Sequence, residues 1–168
     1  MSNAKIIGIN PVLEVLKAGR PVRRLVIAEQ RKQDRGVQAI IRLAREAGVE
    51  VRFSGRDALD REVPGAQHQG VIAFAAAKQY ATLDDILRIP VQRSEVPLFL
   101  ILDGVEDPRN LGAVLRTADA AGVHGVVIPE RRAVGLTETV AKAAAGALEH
   151  VPVVKVTNIA NCIEELKK

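Results

Sequence analysis

The sequence predicts an α/β protein built from two successive units. Short apolar runs alternate with amphipathic segments of helical period, which is typical of strands and helices that follow each other through short links. The run PLFLILD at 97–103 has the continuous apolar character of a strand buried on both faces of a parallel sheet. An interval that contains Pro90 and is followed by Pro97 separates the units. The predicted boundaries are 1–77 for the first unit, 78–96 for a linker and 97–168 for the second unit.

The first unit has the signals of three helices and three strands. Asn10 is a possible N-cap of the first helix, with Pro11 at its first position and Gly19 just past its end. Asp34 is placed to cap the second helix, which carries an apolar stripe at helical spacing. That stripe consists of Val37, Ile40, Ile41 and Ala44. A third, short helix is expected near 56–63, and strands are expected at 23–29, 49–53 and 70–77.

The second unit is predicted to alternate strictly between strands and helices. Within the preceding linker, Thr82 and Asp85 have the spacing of a capping box, which indicates one or two helical turns. The predicted strands are 97–103, 123–129 and 151–156, and the predicted helices are 110–122, 136–150 and 158–168. Three strands are few for a doubly wound sheet. We therefore expect the chain to be cut short at its C-terminus.

Composition and charge restrict the class of protein. The chain has 168 residues, of which 48% are hydrophobic, and a net charge of +4. The charge is uneven, because residues 1–77 hold 13 Lys and Arg against 8 Asp and Glu, whereas residues 78–168 hold 11 against 12. A basic first unit suits a polyanion such as RNA, although a solvated basic surface gives the same count. Aromatic residues make up only 2%, so contacts to phosphate and to RNA shape are expected rather than rows of stacked bases.

Several other classes are excluded or disfavoured. The single cysteine, Cys162, excludes an internal disulfide and fits the cytoplasm, and no apolar run is long enough for a membrane span. The chain lacks a G-x-G-x-x-G motif after a strand, a P-loop and a G-x-S-x-G elbow. Its three histidines do not have metal-ligand spacing, so no metal is expected.

The stretch EDPRNLGAVLRTADAAGV at 106–123 concentrates polar residues at the start of a predicted helix. Asp107 or Asn110 can cap this helix, and Pro108 suits its first position. The expected buried stripe is Leu111, Val114, Leu115 and Ala118.

The polar residues of this stretch are expected to face one crevice. Because helical side chains lean toward the N-terminus, Arg116 should lie over Gly112 and face the same crevice as Asn110. In a doubly wound sheet this crevice lies beyond the carboxyl ends of the strands, next to Asp103. Structural roles remain open: Arg116 could pair with Asp119 or Asp103, Asn110 could be only a cap, and Arg109 is expected to be exposed.

The same stretch carries a resemblance to a known family. NLGAVLRTADAAG at 110–122, following LDGVEDPR, resembles the first motif of the SpoU/TrmH family of RNA 2′-O-ribose methyltransferases, in the SPOUT superfamily. The segment 137–156 resembles the next segment of that family. GINPVLEVLKAG at 8–19 and QHQGVIAF at 67–74 resemble the ribosomal-protein-like RNA-binding domain of the branch that modifies large-subunit rRNA.

This resemblance implies a fold and a reaction. The expected fold is a small ribosomal-protein-like α/β domain followed by an incomplete parallel-sheet SPOUT (α/β knot) domain. The expected reaction transfers a methyl group from S-adenosylmethionine to a ribose 2′-OH of rRNA, with a guanosine of 23S rRNA as the expected substrate. The family's G-x-E-x-x-G-type and P-x-x-G-x-x-x-S-L-N motifs are absent from this sequence. The cofactor site is therefore expected in residues that this chain lacks, and the chain alone is expected to be inactive.

The resemblance also assigns residues. It implies that Asn110 positions the ribose and Arg116 activates its hydroxyl, although a guanidinium is a poor base, which favours a phosphate-clamping role. The residues expected to contact RNA are Arg20, Arg23, Arg24, His68, Gln69 and Arg109. His68 could instead be an ordinary turn residue. Full-length members of the family are expected to be homodimers.

Two other functions remain open. The chain could be a non-catalytic RNA-binding fragment, in which the second unit is only a scaffold. It could also belong to a methyltransferase that acts on tRNA, although the ribosomal-type first unit argues against this.

Overall fold

The structure is a computed structural model that describes residues 3–168, and its contacts divide the chain into two units. Unit 1 is Met1–Lys78 and unit 2 is Gln79–Lys168. Both are mixed α/β structures, as the sequence predicts, and each has its own sheet and its own hydrophobic core.

Unit 1 is a four-stranded sheet with three helices. In chain order, its elements are β1 Asn3–Ile7, α1 Ile9–Lys17, β2 Val22–Ala28, α2 Arg35–Glu46, β3 Glu50–Ser54, α3 Arg56–Glu62 and β4 Val71–Ala76. The strand order is β1-β4-β2-β3. Strands β2 and β3 are parallel, whereas β4 runs antiparallel to both β1 and β2.

The two faces of this sheet are covered unequally. Helices α1 and α2 cover one face, and the predicted stripe of α2 is fully included in the core that they form with β2 and β4. Helix α3 contributes Leu59 to a smaller cluster on the other face, where it packs with Ile72 and Phe74 of β4. Helix α3 is only seven residues long, and the same face also carries Lys5, Arg24 and Glu50, which are linked to Phe74 by the strand pairing.

Two features of unit 1 differ from the sequence expectation. Strand β1 was not predicted, although it pairs with β4 along its full length. Helix α1 begins at Ile9 with Gly8 as N-cap, so Asn10 is inside the first turn and does not cap it. The backbone N–H of Ile9 instead donates to the Oε1 of Gln69 at 3.0 Å, which supplies the missing cap from a distant loop.

Unit 2 is a three-stranded parallel sheet with helices. In chain order, its elements are α4 Leu83–Arg93, β5 Phe99–Ile101, α5 Pro108–Ala120, β6 Gly125–Pro129, α6 Glu138–Ala143, β7 Val153–Val156 and α7 Ile159–Leu166. The order β5-β6-β7 follows the chain, and both strand pairs are parallel. This agrees with the predicted βαβ crossovers.

The segment predicted as a linker is largely part of unit 2. Helix α4 has three turns rather than one or two, and it begins with the predicted capping box between Thr82 and Asp85. Its Ile86 is fully buried against Val127 and Val154. An isolated bridge between Ala81 and Val154 also ties the start of this segment to the sheet. The burial of Ile86 is the physical reason for the difference, since a free linker has no core contact.

Two elements of unit 2 also differ in detail from the prediction. Strand β5 has three residues, and all are half-buried rather than fully buried, because β5 lies at the edge of the sheet. The helix predicted at 136–150 is interrupted after Ala143, since Ala145 and Gly146 have positive φ angles of 50° and 105°. A single 3-10 turn, Ala147–Glu149, follows. Among the described residues, no helix combines the length and apolarity that crossing a bilayer requires.

Candidate active site

The loop between β5 and α5 lies at the carboxyl edge of the unit 2 sheet. It turns at Gly104, whose φ of 76° suits glycine, and leads directly into the first turn of α5. The loop that follows β6 reaches the same edge, because the N–H of Val134 donates to the carbonyl of Val105 at 3.0 Å. The two loops therefore form one connected surface at the position predicted for a ligand crevice.

Asp107 is the cap of α5. Its Oδ1 accepts hydrogen bonds from the backbone N–H groups of Arg109, at 2.6 Å, and Asn110, at 3.2 Å. Pro108 occupies the first helical position, as predicted. Of the two possible caps, Asp107 is therefore the one used, so the amide side chain of Asn110 is not needed for capping and lies exposed at the helix start.

Gly112 does not provide space for Arg116, which corrects the sequence expectation. Gly112 is buried against α6, and a Cβ built there would lie 2.3 Å from the Cβ of Ala143. Its missing side chain allows α5 and α6 to approach closely. The predicted stripe is confirmed at Leu111, Leu115 and Ala118, whereas Val114 is only half-buried.

Arg116 is exposed on α5, and no acidic side chain of a described residue forms an ion pair with it. Within the described part of the chain, Arg116 forms no ion pair with Asp119 or Asp103, the two partners that a structural role would use. Arg116 and Asn110 are six residues apart, which separates them by about 9 Å along the helix and about 120° around it. Both side chains are exposed, but the helix geometry keeps them apart, so the described residues do not bring Asn110 and Arg116 together.

The predicted RNA-contacting arginines of unit 1 have three different environments. Arg20 is half-buried, and its Nε donates to the carbonyl of Ala76 at 2.9 Å. Arg23 is exposed, whereas Arg24 is half-buried with its guanidinium carbon 4.1 Å from the centre of the Phe74 ring. The structure brings Arg23 and Arg24 together at one cavity, where they lie side by side.

His68 and Gln69 are held by the loop that they belong to. His68 is 2% exposed, its Nδ1 accepts from the N–H of Gly70 at 2.9 Å, and its Nε2 lies 2.8 Å from the Oδ1 of Asp60. Because both ring nitrogens are engaged, His68 fits the turn-residue interpretation better than direct RNA contact. Gln69 has a positive φ of 52° and uses its Oε1 to cap α1. Arg109 is exposed in the first turn of α5, as expected.

Sequence reasoning missed three further residues that line a cavity with Arg23 and Arg24. Arg52 of β3 and Phe74 of β4 line the same cavity of about 230 Å³, together with Glu50. The available signal was the alternation in VEVRF, which places Glu50 and Arg52 on one face of their strand. The order of the strands, which brings β4 next to β2, could not be read from that pattern.

Comparison with known protein families gives two matches along the chain. A profile described as the SpoU rRNA Methylase family matches residues 97–168. A second profile, described as RNA 2′-O ribose methyltransferase substrate binding, matches residues 5–81. The two matches fall on the two units and together cover most of the chain.

Curated relatives match over nearly the whole chain. The protein YacO of Bacillus subtilis, described as a TrmH family tRNA/rRNA methyltransferase, is 51% identical over 163 residues, which are 97% of this chain and 65% of that protein. A protein of Staphylococcus haemolyticus with the same family description is 43% identical over 169 residues, which are 100% of this chain and 67% of its own length. The chain thus spans about two-thirds of the length of these relatives.

Solved structures share the fold. The SpoU methyltransferase AviRb from Streptomyces viridochromogenes, in complex with the cofactor AdoMet, matches with a TM-score of 0.74 and 24% identity, over 98% of this chain and 58% of that chain. An AdoMet-bound rRNA methyltransferase from Sinorhizobium meliloti matches with a TM-score of 0.72 and 24% identity, over the same shares. These similarities extend across both units. On the strength of the relatives and the two profiles, the chain belongs to the SpoU/TrmH family of RNA methyltransferases.

Proposed function

We propose that this chain takes part in the transfer of a methyl group from S-adenosylmethionine to a ribose 2′-OH of RNA. The observation that supports the proposal is the exposed surface of α5, on which, among the described residues, the side chains of Asn110 near the helix start and of Arg116 two turns later take part in neither capping nor ion pairing. The matches of the two family profiles to the two units support it.

We propose that Arg116 binds RNA phosphate and stabilises negative charge that develops on the attacking ribose oxygen. Because a guanidinium remains protonated at any relevant pH, it is suited to hold an anion rather than to accept a proton. Fixed cations of this kind lower the barrier when they face the charge that forms in the transition state. The amide of Asn110 can both donate and accept hydrogen bonds, so it suits the positioning of a ribose hydroxyl.

We propose that the residues described do not by themselves form the site for the methyl donor. S-Adenosylmethionine supplies an electrophilic methyl group on a sulfonium centre. The candidate side chains Asp103, Asn110 and Arg116 are all exposed, and no buried polar side-chain atom of a described residue in unit 2 lacks a partner. We therefore assign none of these residues to holding the donor and derive no step through it. Binding of S-adenosylmethionine to this 168-residue chain in calorimetry would contradict that assignment.

We propose rRNA as the substrate, with a guanosine of 23S rRNA as the specific candidate. The profile that matches unit 2 is that of rRNA methylases, and the relatives carry names that include both tRNA and rRNA. This substrate would place the activity in the cytoplasm. We also propose a homodimer for the protein at the length of its relatives, to be tested by sedimentation equilibrium.

The test of the catalytic proposal uses a protein of the relatives' length that contains this chain. Nucleoside mass spectrometry of treated rRNA and tRNA should show a 2′-O-methylated nucleoside in the rRNA. Arg116→Lys should lower turnover by about 10- to 100-fold, because a single ammonium cannot replace a planar, bidentate guanidinium. Arg88→Lys, on the exposed side of α4, is the matched control and should leave turnover within about twofold.

Three outcomes would count against this proposal. Near-normal turnover of Arg116→Lys would contradict the proposal that Arg116 holds a phosphate through a planar, bidentate guanidinium. Methylation of tRNA alone would replace the rRNA substrate with the alternative one. RNA binding without any methyl transfer would favour the non-catalytic interpretation.

A further inference from the structure

A row of charged and aromatic side chains crosses the open part of the unit 1 sheet. Lys5 of β1 is directly opposite Phe74 of β4, Phe74 is opposite Arg24 of β2, and Arg24 is opposite Glu50 of β3. Side chains opposite each other on neighbouring strands lie on the same face of a sheet. These four residues, which we call the sheet row, therefore lie side by side on the face that carries α3.

Within the sheet row, the guanidinium of Arg24 rests on the ring of Phe74. Phe74 is 7% exposed, the guanidinium carbon of Arg24 lies 4.1 Å from the centre of its ring, and the Nζ of Lys5 lies 5.9 Å from the same centre. A guanidinium that rests on an aromatic ring has its second planar face available for stacking. Arginine planes are surfaces on which unpaired RNA bases stack.

A bulge in β2 adds a second arginine to this surface. Val22 pairs with Ala75 and Arg24 with Phe74, so β2 contains one more residue than β4 at this point, and that residue is Arg23. A bulge breaks the alternation of a strand and redirects a side chain. Arg23, which regular alternation would place on the opposite face from Arg24, lines the same cavity of about 230 Å³.

Arg52 completes the wall of this cavity from β3. Its Nε lies 2.6 Å from the Oε1 of Glu50, and its side chain is 59% exposed. The lining residues are Arg23, Arg24, Glu50, Arg52 and Phe74, which together carry a net charge of +2. An excess of positive charge around a small, partly enclosed space favours an anion, and arginine is the side chain best matched to phosphate. The space suits one base and its phosphate rather than a duplex.

We propose that this cavity binds a single unpaired nucleotide of the substrate RNA. The base stacks on the guanidinium of Arg24, which Phe74 supports from below, and Arg23 and Arg52 hold the adjoining phosphate. The proposal rests on the proposed function only in taking RNA as the substrate. The same chemistry could also hold a free nucleoside monophosphate, so the experiment must distinguish an RNA nucleotide from a free one.

The test measures binding of the 168-residue chain to two labelled RNAs by fluorescence anisotropy. One RNA is a short unstructured single strand and the other is a blunt duplex of equal length. Arg24→Lys keeps the charge but loses the planar stacking surface, so it should weaken binding of the single strand by about five- to tenfold. Arg23→Ala and Arg52→Ala should each weaken it by about three- to tenfold. None of the three should change duplex binding by more than about twofold.

Arg42→Ala is the matched control. Arg42 is an arginine of the same unit with a 74% exposed side chain, on α2, which covers the opposite face of the sheet. The substitution Arg42→Ala removes the same charge as Arg23→Ala, but it should change binding of the single-stranded RNA by less than about twofold. Unchanged melting temperatures of all variants would show that the loss of binding is not a loss of folding.

The outcomes separate this inference from the proposed function. If the unchanged chain binds RNA but the three cavity variants behave like Arg42→Ala, the cavity is not the nucleotide site. If adenosine monophosphate displaces the RNA at concentrations no higher than the Kd of the RNA, the occupant is a free nucleotide and the RNA assignment is wrong. If the unchanged chain binds neither RNA, the proposed RNA substrate itself is wrong.

Discussion

The side-chain carboxylate of Asp85 accepts two hydrogen bonds from Thr82 at the start of α4. The backbone N–H and the hydroxyl of Thr82 donate to its Oδ2 at 2.9 and 2.6 Å, and the N–H of Asp85 in turn donates to the Thr82 hydroxyl at 3.2 Å. The hydrogen bonds from Thr82, with a smaller contribution from the charge of Arg88, lower the pKa of Asp85 below its ordinary value of 3.8. The charged carboxylate therefore stabilises the folded state.

The sign of the pH dependence follows from that lowered pKa. A carboxyl whose pKa is lower in the folded state stabilises the fold fully above its unfolded pKa and loses this effect as the pH falls through the folded value. Asp85→Asn should therefore lower the melting temperature more at about pH 7 than at about pH 2 to 3. Asp84→Asn, next to it in the first turn, is the control for the loss of one negative charge at the start of α4. Equal effects of Asp85→Asn at both pH values would contradict the assignment.

The two buried histidines show what a single sequence position does not reveal. His68 and His124 are 2% and 3% exposed, and each has both ring nitrogens engaged. His124 accepts from the N–H of Leu98 and lies 2.8 Å from a carboxylate oxygen of Glu95, so it secures the entry to β5. The groups that form hydrogen bonds with these two histidines lie between 2 and 29 residues away from them in the chain. The expected RNA contact of His68 consequently could not be judged before its loop was placed.

At the scale of elements, Gly112 determines how closely α5 packs on α6. A Cβ at this position would lie 2.3 Å from the Cβ of Ala143 and 2.9 Å from the backbone nitrogen of Ala144. Backbone atoms cannot yield as a flexible side chain can, so a larger residue must move the helices apart. Gly112 is needed for the close packing of α5 on α6, although glycine favours a helix less than alanine does.

Gly112→Ala should therefore destabilise the protein although alanine favours helices. We expect the free energy of unfolding to fall by about 1–3 kcal/mol, as for other overpacked positions. Ala143→Gly removes the Cβ that the new methyl group would meet. The double variant Gly112→Ala/Ala143→Gly should be more stable than the sum of the two single effects predicts, which chemical denaturation can measure. Simple additivity would show that the two positions are not in contact.

Secondary-structure elements were predicted correctly where the local sequence signals were complete. Helix α2 has an apolar stripe of regular spacing and begins after Asp34, as predicted, and the predicted ends of α5, 110 and 122, lie within two residues of the observed ones, Pro108 and Ala120. Strand β1 was missed because it is defined mainly by pairing with β4, about 70 residues away. The break after Ala143 was also missed, since an alanine-rich segment favours a continuous helix and Gly146 alone does not show where it ends.

At the scale of the whole molecule, the candidate sites were only partly predictable. Asn110 and Arg116 were selected as candidates from their spacing on one helix and from the family resemblance of that stretch, and their roles stay predictions. Sequence reasoning placed Arg116 over Gly112, however, because the position of α6 was unknown. The cavity of unit 1 depends on a β-bulge and on three strands that are distant in sequence, so only Arg23 and Arg24 were recognised.

The two units carry charge of opposite sign. Residues 1–78 contain 14 Lys and Arg and 8 Asp and Glu, whereas residues 79–168 contain 10 and 12, which gives net charges of +6 and −2. Unit 1 also has its own sheet and cores, so its folding does not require residues of unit 2 to complete a strand. If RNA binds mainly through phosphate, most of the electrostatic attraction should come from unit 1.

This division predicts how RNA affinity depends on salt. The 168-residue chain and a fragment of residues 1–78 should both lose affinity for a short single-stranded RNA between about 50 and 200 mM salt, and the log–log slope of the intact chain should be steeper by no more than about 0.7, the contribution of one phosphate held by Arg116. Each phosphate that a cation neutralises contributes about −0.7 to that slope for single strands, so contacts from Arg23 and Arg52 should make it at least about −1.4. A fragment of residues 79–168 should bind the same RNA at least about tenfold more weakly. A slope near zero for the intact chain would contradict a phosphate-based interface, and a much shallower slope for the 1–78 fragment would move part of that interface to unit 2.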